Sequence, residues 1–146
     1  MQPSQNVRTR IALARSNVNT SATTGNAIDC KGYDSATFVI LAQSSTTSAV
    51  PGSILIQHSD DLTNYDTFAT INSGLPTQIE TTATSNQDTY ANITVNLRGK
   101  RRYIRLSVSN SITNTAQVTA ICLLDDPGQA PVNASASGSR FIFDVP

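Results

Sequence analysis

The side chains with the greatest chemical potential fall in two stretches. The first is His58-Ser59-Asp60-Asp61, with Asp66 close behind. A histidine two positions before paired carboxylates is where acid–base or metal chemistry is first sought. No serine or cysteine around it stands in a nucleophile-elbow or triad context, and His58 is the chain's one histidine, so no second imidazole exists for a zinc set. Asp60, Asp61 and Asp66 could offer oxygen ligands to calcium, but their spacing fits no loop of known ligand pattern. The expectation is a protein that is not an enzyme, needs no cofactor and binds no metal.

The second stretch carries the opposite charge. From His58 to Asn96 there is no Lys or Arg, and then Arg98, Lys100, Arg101, Arg102 and Arg105 arrive within eight positions. Two readings are open: a docking patch for a larger anionic partner, or the solvated start of a strand balanced by acids on a neighbouring loop. Formal net charge is zero and the pI about 6.5. That balance argues against direct nucleic-acid contact, which rests on neutralising phosphates. Tryptophan is absent, which weakens the case for a sugar-stacking platform, although four tyrosines keep that class alive.

These residues need a scaffold, and composition points to a sheet. A chain of 146 residues is one domain by length. Charged residues make up only 14% against the usual quarter, and the polar remainder is Ser, Thr, Asn and Gln. Threonine suits strands, and asparagine and serine suit turns. Cys30 and Cys122 sit at the edges of apolar runs, which favours two buried thiols over a bridge. No secretion signal is expected, and no stretch approaches the ~20 apolar residues that cross a bilayer, so no membrane partner is expected. The Asn-x-Ser/Thr triplets at Asn19, Asn92 and Asn133 are chance matches in such a composition.

Along the chain, residues 1–26 read as an N-terminal arm in which Arg10–Val18 could form a short strand or a single amphipathic turn, 27–124 as a β-sandwich domain, and 125–146 as a linker and C-terminal tail. Period-two alternation or continuous apolar runs predict strands at Ala27–Cys30, Ala36–Ala42, Ser53–Ser59, Thr67–Ile71, Thr89–Leu97, Tyr103–Val108 and Ala116–Leu124, with an edge piece at Thr77–Ile79. Ile54 and Ile56 should face inward, as should the rows Ala91-Ile93-Val95-Leu97, Ile104-Leu106-Val108 and Ala116-Val118-Ala120-Cys122. Arg98-Gly99-Lys100 reads as a hairpin link, making the last three strands a meander. The tail carries Phe141 and Phe143 on one side of an extended segment, which either returns to its own sheet or adds to a neighbour's.

The run GNAIDCKGYDSATFVILA, followed by SILIQHSDDLTNYDTF, GKRRYIRLSVS and AQVTAICLL, resembles head-decoration or cement proteins of tailed bacteriophages over about residues 25–124. The features carrying the likeness are Ser59-Asp60-Asp61 with Tyr65 and Phe68, and Arg102-Tyr103-Ile104-Arg105-Leu106. The resemblance implies an all-β antiparallel sandwich, jelly-roll or immunoglobulin-like. It also implies a homotrimer on the outer capsid surface of the virion, with the major capsid protein as partner and no catalytic residues. RYIRL-type strands also occur in discoidin-like modules, so a carbohydrate-binding or adhesion module is the alternative. The residues expected to make protein contacts are Arg98, Lys100, Arg101, Arg102, Arg105, Phe141 and Phe143.

Overall fold

The computed structural model describes residues 7–44, 51–72, 88–110, 116–125 and 140–145. They form ten strands: β1 Val7–Val18, β2 Thr23–Thr24, β3 Ile28–Asp29, β4 Ser35–Ser44, β5 Pro51–Ser59, β6 Asp66–Asn72, β7 Asp88–Asn96, β8 Tyr103–Asn110, β9 Ala116–Asp125 and β10 Arg140–Val145. The expected edge piece at Thr77–Ile79, the linker and Asn133 lie outside the described residues.

Two sheets result, ordered β1-β9-β4-β7-β10 and β2-β8-β5-β6, with β3 also on β8. Counting β2 and β3 as one interrupted strand, the first strand pairs the eighth (β1 with β9) and the second the seventh (β2 and β3 with β8). The third pairs the sixth (β4 with β7) and the fourth the fifth (β5 with β6). That is a long antiparallel hairpin rolled up on itself, closed by β9 on β4 and β8 on β5. It is the jelly-roll connectivity. Of the two sandwich types expected, the pairing selects this one.

The pleat supplies the core. Successive side chains point to opposite faces, so each strand gives one row to the space between the sheets. Ile54, Ile56, Ile93, Val95, Leu97, Ile104, Leu106, Val108, Val118, Ala120, Cys122 and Leu124 are all buried, as the alternation predicts. Strand β4 is central, flanked by β9 and β7, and buries Phe38 and Ile40 while Leu41 points out. Fully burying each such aliphatic side chain is worth about 1.5–3 kcal/mol.

Two expectations are corrected and one open alternative is resolved. The segment read as an arm contains the 12-residue strand β1, paired with β9 from Val7↔Asp125 to Val18↔Ala116 and burying Ala12, Leu13 and Val18. Register shifts between Ile11 and Leu13 and between Leu13 and Ser16 break its period of two, which left Arg10–Val18 readable equally as a short strand or an amphipathic turn. The meander is absent as well: β7 and β9 lie in one sheet and β8 in the other. Arg98–Lys100 is a corner between layers, turned at Gly99 (φ 74°), where the Lys100 amide donates to the Leu97 carbonyl at 3.0 Å. An inward row looks the same from either sheet, so alternation alone could not assign one. Of the two readings of the tail, the structure shows the return to its own sheet: β10 runs parallel to β7, with Phe141 opposite Ala91 and Phe143 opposite Ile93 in register.

Gly25 links the layers. Its amide donates to the Leu106 carbonyl at 2.8 Å, and the next amide, Asn26, donates to the Ala12 carbonyl at 2.7 Å. A Cβ at Gly25 would sit 2.2 Å from the Ala12 carbonyl oxygen, so backbone must move to admit it. Gly25→Ala is expected to destabilise the fold by about 1–3 kcal/mol, read as a lower urea midpoint. An unchanged midpoint would show that the corner is loose.

Both cysteines are free and buried. Burial pushes the Cys30 thiol up to about 12, with Asp29 adding to the shift, and burial pushes Cys122 well above the usual thiol range. The thiolate is the reactive form. Both thiols are therefore expected to react slowly with a thiol reagent in the native protein and rapidly after denaturation. Equal rates in the two states would contradict the packing.

Candidate functional site at the rim of the sandwich

One end of the sandwich gathers the β3–β4, β5–β6 and β7–β8 connections, because Asp29 and Ser59 both pair with Tyr103 while Ser35 pairs with Asn96. Backbone bonds tie these turns together: the Cys30 amide donates to the Arg102 carbonyl at 2.8 Å and the Leu97 amide to the Asp34 carbonyl at 2.9 Å. The whole expected cation cluster arrives here.

Most of its members have partners within the chain. Arg102 holds Asp29 with both arms of its fork, Nε to Oδ1 at 3.0 Å and Nη2 to Oδ2 at 2.7 Å. Arg101 bridges Asp66 at 2.6 Å and Asp60 at 3.6 Å, and Arg98 reaches Asp34 at 3.4 Å. Arg105 donates to Gln57 at 2.8 Å, and its guanidinium carbon stacks 3.5 Å from the Tyr65 ring centroid. Lys100 differs: its ammonium lies 4.8 Å from the Phe68 ring centroid, and no carboxylate pairs with it among the described residues. Lys31 likewise makes no salt bridge among them; its backbone amide donates to Asp29 at 3.1 Å, and its charge acts on that carboxylate from farther off.

Lys31, Tyr33, Lys100, Arg101 and Arg102 line a cleft of about 460 Å³ floored by Cys30 and Leu97. Four of those seven residues are cations and none is an acid, so the cleft suits a carboxylate or another anion. Sequence reasoning found the cations but missed Lys31, Asp29 and Asp34. Their one visible signal was the Lys31-Gly32 turn, which folds back beside the cluster with Gly32 at φ 88°.

The first chemical stretch resolves into structural roles. Asp61 accepts the backbone N–H groups of Asn64 at 2.8 Å and Thr63 at 2.9 Å, the Asn64 amide at 2.7 Å and the Ser59 hydroxyl at 2.9 Å. These donors, the Asn64 backbone foremost, hold its carboxyl well below the usual carboxylate range. They also brace Leu62, a non-glycine residue at φ 64°. His58 accepts the Arg101 amide on Nδ1 at 3.3 Å and packs its ring 4.9 Å from Phe68. Burial, helped by Arg101 and Lys100, lowers its pKa. Among the described residues no three of His, Cys, Asp and Glu converge as a metal site.

No protein-family model matches the chain, and no curated protein matches it. Among solved structures the fold is similar to the PBSX exported protein XepA, at 17% identity and TM-score 0.52 over 90% of this chain and 41% of that one. The chain thus spans about two-fifths of XepA's length. It is also similar to a chain of infectious bursal disease virus Gx strain, at 11% identity and TM-score 0.49 over 86% of this chain and 33% of that one. A third likeness is to the SPBc2 prophage-derived protein YomS, at 11% identity and TM-score 0.44 over 81% and 93% of the two chains. Identities this low concern the fold alone: the protein is an all-β sandwich of jelly-roll connectivity.

The Asp29–Arg102 pair gives a direct test of the rim. The Arg102 hydrogen bond is the largest influence lowering the Asp29 pKa from its ordinary 3.8 to about 2. A depressed carboxylate favours the fold above its unfolded value, and the benefit is lost as pH falls from near 4 through about 2. Arg102→Ala is expected to return Asp29 toward 3.8 by NMR titration. A pKa that stays near 2 would mean the fork does not hold Asp29 in solution.

Proposed function

We propose that this chain is a structural protein of a phage particle that decorates the outer capsid surface and fastens neighbouring major capsid subunits. The observation that carries this reading is the rim. Its acids are engaged by Arg98, Arg101 and Arg102, which leaves Lys31 and Lys100 to face a partner across a cationic cleft. The arginines act as braces, holding three loops in one shape before any partner arrives. Docking onto a braced surface forfeits little conformational entropy, which favours tight attachment to a repeating lattice. An acidic side chain of a shell subunit is the natural occupant of the cleft.

The resemblance in the region of Arg102–Leu106 supports the same reading, as does the low surface charge. The test is cosedimentation of purified protein with capsids that lack it. Attachment of the wild type is expected to weaken as salt rises, because exposed charges are screened. Replacing Lys31 and Lys100 by Ala should weaken attachment by about tenfold at low salt and flatten the salt dependence, with an unchanged circular dichroism spectrum. Equal attachment of both proteins at every salt concentration would exclude the cleft, and no attachment of the wild type would exclude the decoration role.

A further inference from the structure

The outward face of the β1-β9-β4-β7 layer is unlike the rest of the surface. Val7, Ile11, Leu41 and Ile121 are four of the five large apolar side chains exposed among the described residues, at 37%, 62%, 47% and 36%. All four lie on this face. The register sets Ile11 beside Ile121, and Ile121 beside Val39, so one apolar row crosses three strands. Thr37, Thr94 and Thr119 fill the positions around it, Thr37 and Thr94 sharing a 3.1 Å hydroxyl contact. The opposite layer carries Arg105, Gln57 and Tyr103 outward instead.

Charge on this face, among its described side chains, occurs only at the two ends of the strands. Arg15 sits at one end, its guanidinium bonded to Gln117, and Asp125 sits at the other. On β9 these ends are Gln117 and Asp125, which lie symmetrically about Ile121. We infer that this face is the contact between two copies of the chain, related by a twofold axis that runs across the strands through the Ile11–Ile121–Val39 row.

The symmetry makes the face complementary to itself. A twofold in the contact plane and perpendicular to the strands keeps their lateral order and reverses their direction. Ile121 then meets Ile121 of the other copy, Leu41 meets Thr37, and Leu123 meets Thr119. The Arg15 end of each copy receives the Asp125 end of the other, where Arg15, Leu41 and Gln117 border a hollow of about 340 Å³. Opposite charges therefore meet twice at the rim of a centre that carries no charge among the described side chains, the usual anatomy of a specific contact. Four strands ~4.8 Å apart, with about eight residues each at ~3.3 Å, present roughly 500 Å² per copy. The total of about 1,000 Å² reaches the lower bound for specific interfaces, which predicts a reversible dimer.

This inference stands apart from the capsid reading, because it is measured on the purified chain alone. Sedimentation equilibrium over a wide concentration range is expected to show a reversible shift from 15.5 kDa toward twice that mass. Ile11→Glu and Ile121→Glu should each weaken association by at least tenfold. Ile11 is the more exposed of the two, so its variant keeps the test valid if the other folds poorly. Arg15→Asp alone and Asp125→Arg alone should weaken association, and the two together should restore it. A monomer at every concentration would overturn the inference, as would a dimer indifferent to Ile11→Glu. The trimer implied by the sequence resemblance would overturn the twofold, and so would failure of the double charge reversal to rescue.

Discussion

Everything in this molecule depends on the apolar layer between its two sheets. Most of the rolled strands contribute an alternating row, whereas β1 contributes Ala12, Leu13 and Val18 across its register shifts and β6 adds the half-buried Phe68 and Ala69. Among the described residues Phe38 is the one aromatic side chain fully buried there; the other fully buried apolar ones are aliphatic, alanine or cysteine. At the crossing between layers the Ala12 carbonyl leaves Gly25 no room for a side chain, with the Gly25 amide bonded to β8 and the Asn26 amide to β1. The same layer fixes which residues point outward, and so decides the chemistry of both the rim and the β1-β9-β4-β7 face.

The rim shows how a cluster of like charge can sit at the end of a sandwich without repelling itself apart. Each arginine there bonds an acid or amide supplied by another strand or loop, and two of them lie against aromatic rings. Exposed ion pairs contribute little to stability one at a time. Their use here is geometric, since Arg101 ties the β5–β6 loop to the β7–β8 corner and Arg102 ties that corner to β3. The Lys100 ammonium lies over the Phe68 ring, beside the cleft that Lys31 and Lys100 both line.

Much of the core was legible residue by residue. Alternation identified the inward rows of β5, β7, β8 and β9, and the structure buries Ile54, Ile93, Ile104 and Val118 accordingly. What alternation lacks is a label for the sheet, so β7 and β8 read as a hairpin although they belong to different layers. Strand β1 stayed ambiguous between a short strand and an amphipathic turn because its register shifts place Ala12 and Leu13 next to each other in the core. Nothing in a period of two gives the direction of pairing, so β10 could not be read as parallel. The site divides the same way: five cations in eight positions are visible in any reading, whereas the partner of Arg102 lies 73 residues away and that of Arg98 lies 64 away.

The central claim is that this jelly roll serves as an exterior part of a virus particle, presented to the shell through its braced rim. Electron microscopy of the intact particle, with and without the chain, tests that claim most directly. The account predicts density of this shape on the outer shell, present only with the chain, its β3–β4 and β7–β8 connections directed at the capsid subunits. A bare shell, or density confined to the tail, would contradict it.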